Sequence, residues 1–359
     1  MKVRHSLPFV LLLGTIFGSS LVVSRFSVGQ YDPRTYIALR LTIAAVLHLV
    51  AYLFTARRLP RGRSLWIHAA VLGIIGSAMP MTAVISSLQY QSSGVTSLLM
   101  TLNPVVTLIL AQIFLQDESM TWGKSFGVMV AFSGAILLFV QGETGLAGFT
   151  QADWRGYMWS GAGVVASASG SIYARRFLRH GDSFDVASIR MFSASLVMVA
   201  VAWSTVGFDL SRVDIRGVGA LVYASVLGTF VAFLLSFYII KRFGATASSQ
   251  TSYVMPVAST VLGSLLLGEQ VTANMLAGMA LIFSGLALLN WRDVQRMVQA
   301  QWRMRAKRKS RLNGSRAMGN SLMCCLAKGS PTIVTARIAA EITCATATSS
   351  QRAGDPQQN

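Results

Sequence analysis

Charged side chains that could do chemistry stand at matched positions in two halves of the sequence. Arg40 and Arg190 lie inside apolar segments, whereas Glu118 and Glu269 lie in short polar breaks between such segments. A guanidinium inside a membrane segment can bind an anion, such as a substrate carboxylate, or can snorkel to the lipid headgroups. A carboxylate ahead of a helix can cap the free N–H groups of that helix, or can act in gating by contacting the other half of the protein.

Polar residues near two prolines are further candidates for a binding site. Pro104 and Pro256 are expected to interrupt the fourth and ninth apolar segments, because proline removes a helical hydrogen bond. A polar cavity near these interruptions would bind substrate through Arg40, Arg190 and five uncharged side chains. Those five side chains are Gln89, Asn103, Tyr238, Gln250 and Tyr253. Pro104, Pro256, Glu118 and Glu269 are expected to be structural or gating residues.

The composition indicates a chain that is folded in lipid. Of 359 residues, 53% are hydrophobic and 12% are charged, whereas soluble domains carry about 25% charged residues. A helix needs about 20 apolar residues to cross a bilayer core. Ten windows approach that length, at about 7–28, 35–55, 65–88, 94–115, 122–140, 155–177, 186–206, 216–240, 246–267 and 272–291. Lipid satisfies no backbone hydrogen bonds, so we expect an all-α integral membrane protein with ten transmembrane helices.

The ten windows divide into two copies of five. Seven features recur at an offset of 150 to 152 residues: Asp32 with Asp182, Arg40 with Arg190, Gly94 with Gly244, Pro104 with Pro256, Glu118 with Glu269, Gly127 with Gly278, and Ser133-Gly134 with Ser284-Gly285. Five crossings per copy are an odd number, so the second copy enters the membrane from the opposite side. Residues 1–141 and 155–291 are therefore predicted to be inverted repeats, a design that allows alternating access to a site between them.

The distribution of positive charge predicts the orientation. The chain carries a net charge of +18, and residues 292–359 hold 12 Lys/Arg against 3 Asp/Glu. Counting Lys and Arg in the loops places both the N- and C-termini in the cytoplasm. The basic tail, 292–359, is expected to be largely disordered and to lie on the anionic inner leaflet. Because its charges flank membrane segments, we expect lipid and not nucleic acid as its partner.

The repeated residues resemble a known family. The pattern from Gly94 through Pro104 to Ser133-Gly134, with its second copy ending in "LLLGEQVTANMLAGMALIFSGLALL", is similar to the EamA-like domain of the drug/metabolite transporter superfamily. The first copy departs from the pattern, with Gln116-Asp117 where the second copy has Gly268. The resemblance covers about 7–291. It implies ten helices, cytoplasmic termini and transport of a small organic metabolite or drug-like solute across a bacterial inner membrane, most often outward, without implying one substrate.

The residues also bear on coupling and on an alternative function. No Asp or Glu is predicted in the interior of a span, which disfavours coupling through a buried acid and leaves uniport, exchange or another proton route. The alternative is an integral-membrane enzyme or scaffold, which would need paired carboxylates or a His/Cys cluster in the bilayer. The sequence supplies neither arrangement, so we expect a transporter that is not an enzyme and that uses no cofactor or metal.

The inverted repeat predicts where reporter proteins fused to the loops will lie. We expect fusions within 142–153 and 207–215 to show periplasmic alkaline phosphatase activity, and fusions near Arg61 or Gly181 to be inactive. Cytoplasmic placement of either of the first two loops would contradict the odd number of crossings in each repeat.

Overall fold

A computed structural model describes the backbone of residues 2–55, 60, 62–115, 121–146, 153–179, 181–243 and 250–289. Over these residues the chain is helical and forms ten rods. They are α1 Lys2–Ser27, α2 Pro33–Phe54, α3 Arg63–Ser87, α4 Ser93–Phe114, α5 Trp122–Val140, α6 Trp154–Phe177, α7 Ser183–Thr205, α8 Ile215–Phe243, α9 Thr251–Leu267 and α10 Ala273–Leu289. Glu118, Gly244 and the tail lie outside the described residues.

Seven of the described rods are long and apolar enough to cross a membrane: α1 to α5, α7 and α8. The apolar helices α9 and α10 are shorter, and α6, rich in Gly and Ser, has sufficient length but is not among the seven. The chain is therefore an all-helical, multi-pass membrane protein, as its composition indicates. The count of ten crossings stays a prediction.

Short polar side chains define where several rods begin. The carboxylates of Asp32 and Asp182, which occupy equivalent positions in the two repeats, accept hydrogen bonds from the backbone at the start of α2 and α7. Asp214 accepts one from the backbone N–H of Gly217 at 2.7 Å. That hydrogen bond lowers the pKa of the Asp214 carboxyl from its ordinary value. Such caps satisfy N–H groups that have no partner within the helix.

Two apolar cores each combine equivalent helices from both repeats. In one core, Tyr36 and Leu41 of α2 pack with Met191 of α7 and with residues of α3 and α8. In the other, Leu98 of α4 and Leu138 of α5 pack with α6 and α10. Helices two and three therefore meet seven and eight, while helices four and five meet ten. Each core therefore contains buried side chains from both repeats, and burial of these side chains holds the repeats together.

The contact between α5 and α10 is reciprocal. A Cβ placed on Gly127 would lie 2.9 Å from the carbonyl oxygen of Gly285, and one placed on Gly134 would lie 2.8 Å from that of Gly278. Gly127 corresponds to Gly278 in the repeat, and Gly134 to Gly285. The two glycine positions of one repeat thus contact the same two positions of the other repeat, in reverse order. Antiparallel helices related by twofold symmetry make contacts of this kind. Small residues allow this close backbone approach in a membrane.

This close approach predicts a large effect of one added methyl group. A Cβ on Gly285 would lie 2.6 Å from the Gly127 carbonyl oxygen and would also meet Ala131. We expect Gly285→Ala to destabilise the protein by about 1–3 kcal/mol through overpacking, measured as a lower Tm of the purified full chain. Gly123→Ala, whose Cβ meets nothing within 4 Å, is the matched control. Equal Tm values for the two variants would contradict the prediction.

Candidate functional site

A cavity of about 320 Å³ lies where the two repeats meet. Its volume is within the range of about 300–1,000 Å³ that is usual for small-molecule sites. Eight helices contribute to its wall, four from each repeat. The lining residues are Phe17, Ser20, Leu21, Arg40, Gly76, Pro80, Met81, Val84, Ile85, Met100, Gly163, Ser167, Arg190, Gly228, Phe233 and Met255. The wall is mainly apolar, and its charged members are Arg40 and Arg190.

Arg40 is held firmly in the wall of the cavity. Its Nε donates to Thr229 Oγ1 at 2.9 Å, and Nη2 donates to Ser20 Oγ at 2.9 Å and to the Gly228 carbonyl at 3.4 Å. Nη1 donates to Ser24 Oγ at 3.0 Å. The side chain is only 6% exposed. Arg40 is therefore anchored to α1 and α8, and the structure does not show it snorkelling to a helix end.

Arg190 occupies the equivalent place on the other side of the cavity, with fewer partners. Its Nε donates to Ser77 Oγ and its Nη2 to the Gly76 carbonyl. Its guanidinium carbon lies 5.3 Å from the centre of the Phe233 ring, a cation–π contact. Within the described part of the chain, its Nη1 has no hydrogen-bond acceptor. The Arg190 side chain is half-buried and lines the cavity, so a solute in the cavity can contact it.

The two arginines bind to widened helical turns that are also equivalent. Residues Ile74–Ala78 of α3 and Val226–Val231 of α8 form π-helical turns. Arg40, in the first repeat, contacts the turn in the second, and Arg190 contacts the turn in the first. Each arginine thus crosses to the other repeat, so both repeats complete the site. Turns of this kind are uncommon and frequently occur at functional sites.

Glu269 also crosses between the repeats. Its carboxylate accepts hydrogen bonds from the backbone and hydroxyl of Ser93, at 2.8 and 2.7 Å, and from the backbone of Gly94 at 3.4 Å. It therefore caps α4 of the first repeat and not the helix that follows it, which is the contact with the other half that the gating alternative described. The helix that follows Glu269 is α10, and it is capped by Thr272 instead. Thr272 Oγ1 accepts a hydrogen bond from the backbone N–H of Met275 at the start of α10. Gly263 leaves room for the carboxylate.

The prolines behave differently from one another. The helix α4 is interrupted between Ser93–Met100 and Asn103–Phe114, with Pro104 in the first turn of the second segment, as expected. Pro256 lies inside the described helix α9, which continues through it, so the interruption expected at this proline is not found. Pro256 is the sixth residue of this helix, beyond the first turn, so its missing N–H leaves the carbonyl of Ser252, four residues back, without its helical donor while the helix continues.

The predicted uncharged candidates lie outside the cavity wall. Asn103 contacts the wall directly, because its Nδ2 donates a hydrogen bond at 3.1 Å to Ser167 Oγ, and Ser167 is a lining residue. Gln89 is exposed in a separate crevice of about 400 Å³ between loops. Tyr238 is exposed and packs its ring 5.4 Å from that of Phe9.

The last two candidates lie at the start of α9. Gln250 is the residue immediately before this helix, and its side chain makes no cap there. The Tyr253 ring packs 5.5 Å from that of Phe283. Met255 is the residue of α9 that lines the cavity. The structure therefore unites Arg40 and Arg190 in one site and places the other predicted residues around it.

Sequence reasoning missed the acceptors that hold the arginines. These are the Gly-Ser and Gly-Thr pairs at 76–77 and 228–229, together with Ser20 and Ser24. The two pairs recur at an offset of 152 residues, the same as the two prolines. That recurrence was a usable signal. Glu118, predicted as the partner of Glu269 in the repeat, lies outside the described residues.

Helices enclosing a cavity between two equivalent halves define a membrane-transport class of fold. The family model for the EamA-like transporter family matches residues 6–140 and 154–291. The chain belongs to the EamA-like transporter family, and the two matched segments are two copies of its domain. Membership implies a small-molecule solute and embedding in a membrane.

Curated relatives carry names that agree with this class. The uncharacterised transporter YyaM of Bacillus subtilis is 27% identical, covering 79% of this chain and 93% of that protein. A probable terminal-alkyne amino-acid exporter of Streptantibioticus cattleyicolor is 26% identical, covering 84% and 98% respectively. The uncharacterised inner membrane transporter YedA of Escherichia coli is 26% identical, covering 75% and 86%. A crystal structure at 21% identity, with a TM-score of 0.56 over 78% of this chain and 94% of that chain, shows the same fold.

The cap made by Glu269 predicts a cost when its charge is removed. In Glu269→Gln, an amide N–H₂ would face the donors of Ser93, and the charge that favours the start of α4 would be lost. We expect a destabilisation of about 1–3 kcal/mol, measured as a lower Tm of the full chain in detergent. Asp209→Asn, at an exposed loop carboxylate, is the control. An unchanged Tm for Glu269→Gln would show that the cap contributes nothing.

Proposed function

We propose that this chain is a secondary transporter of the bacterial inner (plasma) membrane that exports a small organic metabolite or drug-like solute. The observation that carries the proposal is the cavity shared by the repeats, with one arginine crossing from each half. A site completed by both halves is the arrangement that alternating access requires, because relative motion of the halves can expose it to each side in turn. The family membership supports the same conclusion.

The mechanism we infer uses the glutamate contacts as seals. At the predicted outer end, Glu269 binds the start of α4, and two backbone hydrogen bonds close the same region. They join Ser92 to Thr144 at 2.7 Å and Gln270 to Gly145 at 2.9 Å. The repeat pairs Glu118 with Glu269 and Gly244 with Gly94 in the sequence. In this mechanism Glu118 makes the matching seal at the inner end when the outer seal opens.

The other elements of the proposal follow from charge and from relatives. Outward transport is supported by the exporter name of one relative, and an inner-membrane location by the name of another. The uneven loop charge supports cytoplasmic termini. The tail, with its excess of Lys and Arg, is proposed to bind anionic lipid of the inner leaflet.

Transport is tested directly with the purified full chain in lipid vesicles. We expect counterflow of at least one radiolabelled solute from a panel of amino acids, nucleosides, organic acids and cationic drugs, above that of protein-free vesicles. Overproducing cells should also show altered efflux of the same solute. Absence of counterflow for the whole panel, from protein that remains monodisperse, would contradict the proposed function.

Alternating access is tested by labelling the cavity from each side. Ser167→Cys places a thiol in the wall, in a chain whose native Cys324, Cys325 and Cys344 are replaced by Ser. We expect a membrane-impermeant maleimide to label Cys at 167 from both sides, because each side is open in turn. Adding Glu269→Gln should increase labelling from the periplasmic side about tenfold if the lost contact is worth about 1.4 kcal/mol. Labelling from one side alone, unaffected by Glu269→Gln, would contradict the mechanism.

A further inference from the structure

The cavity carries positive charge without a counter-ion. Arg40 and Arg190 both line it, and neither guanidinium has a carboxylate partner among the residues that the structure describes. The lining contains no Asp or Glu. Uncompensated charge in a site of low dielectric is costly, and the cost is relieved when an anion enters. A cationic solute would meet the opposite effect, because like charges repel strongly where water is excluded.

The two arginines are not equivalent in their hydrogen bonding, although their positions are. Arg40 donates four hydrogen bonds, two of which go to Ser20 and Ser24 of α1. The corresponding positions in the second repeat are Gly170 and Ala174, which have no hydroxyl. Arg190 therefore lacks these acceptors and keeps both Nη1 donors available. A guanidinium binds a carboxylate best through two parallel N–H donors on adjacent nitrogens, and here one N–H of Nη1 and the second N–H of Nη2 form such a pair.

We propose that the transported solute is a small organic anion, whose carboxylate binds Arg190 while its apolar body packs against the methionine-rich wall. Met81, Met100 and Met255 contribute flexible thioether side chains to that wall, beside Phe17 and Phe233. Methionine adapts to apolar bodies of different shape. Arg40, with four of its five N–H donors held by the protein, supplies a fixed positive charge. This inference rests on the proposed function and narrows its substrate class.

The charge preference is tested with three probes that share one apolar body. Phenylpropionate, phenylpropionamide and phenylpropylamine differ in carrying a negative, neutral or positive head. We expect the carboxylate to bind the purified full chain about tenfold or more tightly than the amide, as a charge-assisted hydrogen bond predicts, with the amine the weakest. Binding is measured by isothermal titration calorimetry and by ligand-dependent Tm. Equal affinity for carboxylate and amide, or no binding of the carboxylate, would overturn the inference.

Variants assign the preference to Arg190. Arg190→Gln should remove the roughly tenfold preference for carboxylate while the Tm without ligand reports whether the fold is kept. Arg155→Gln, at an exposed arginine outside the cavity, should keep the preference. If Arg190→Gln does not fold, Arg190→Lys serves instead, and it should weaken the preference because an ammonium lacks the paired N–H donors. A preference unchanged in Arg190→Lys or in folded Arg190→Gln would overturn the assignment.

The outcome is separable from that of the transport assay. Vesicle flux of neutral or cationic solutes, together with equal binding of the three probes, would overturn the anion inference and leave the transport proposal standing. Carboxylate-selective binding without any vesicle flux would support the anion site and contradict transport.

Discussion

The exchange of arginines between the repeats is the interaction on which the rest of the site depends. A guanidinium within a membrane must find acceptors inside the protein, because lipid provides none. Here those acceptors are a hydroxyl and a carbonyl on a π-helical turn of the opposite repeat, at 76–77 for Arg190 and at 228–229 for Arg40. Arg40 also donates to Ser20 and Ser24 of its own repeat, but the π-helical turn that accepts from each arginine belongs to the opposite repeat. Each half of the chain therefore requires the other, and the cavity is the space left between the two exchanged contacts.

Much of the framework could be predicted because it follows from local chemistry that recurs. Asp32 and Asp182 mark helix starts, Pro104 marks a break, and Gly127 and Gly134 mark a close helix contact in both copies. The helix starts and the break depend on a residue and its immediate neighbours, whereas the glycines showed in the sequence only that they recur. The inner positions of the two arginines were predictable for the same reason, since a charge in an apolar segment is conspicuous. The hydrogen-bond partners of Arg40 and Arg190 could not be predicted from the residues that surround each arginine in the sequence.

The partners and the cavity wall depend on which helix faces are opposed, a tertiary property. Gln89 and Tyr238 are polar residues near segment ends, and both are exposed. The wall is instead formed mainly by apolar side chains that cannot be told from ordinary lipid-facing or packing residues. Serine is frequent in membrane helices, so Ser20 carried little signal by itself. The π-helical turns have no sequence signature apart from their recurrence. The sequence allowed Glu269 to contact the other half, but it did not indicate Ser93 as the partner.

The two copies of the family domain place equivalent arginines at the site, and differences between the copies make the hydrogen bonding of those arginines unequal. In this chain Ser20 and Ser24 fix Arg40, while Gly170 and Ala174 leave Arg190 with unused donors. Gly170 cannot gain a side chain without displacing Gly76, because a Cβ there would collide with the backbone of the widened turn. The packing of Gly170 against the π-helical turn Ile74–Ala78 therefore excludes a hydroxyl at the position that corresponds to Ser20, so a close contact that joins the repeats is also a reason why Arg190 has fewer acceptors than Arg40.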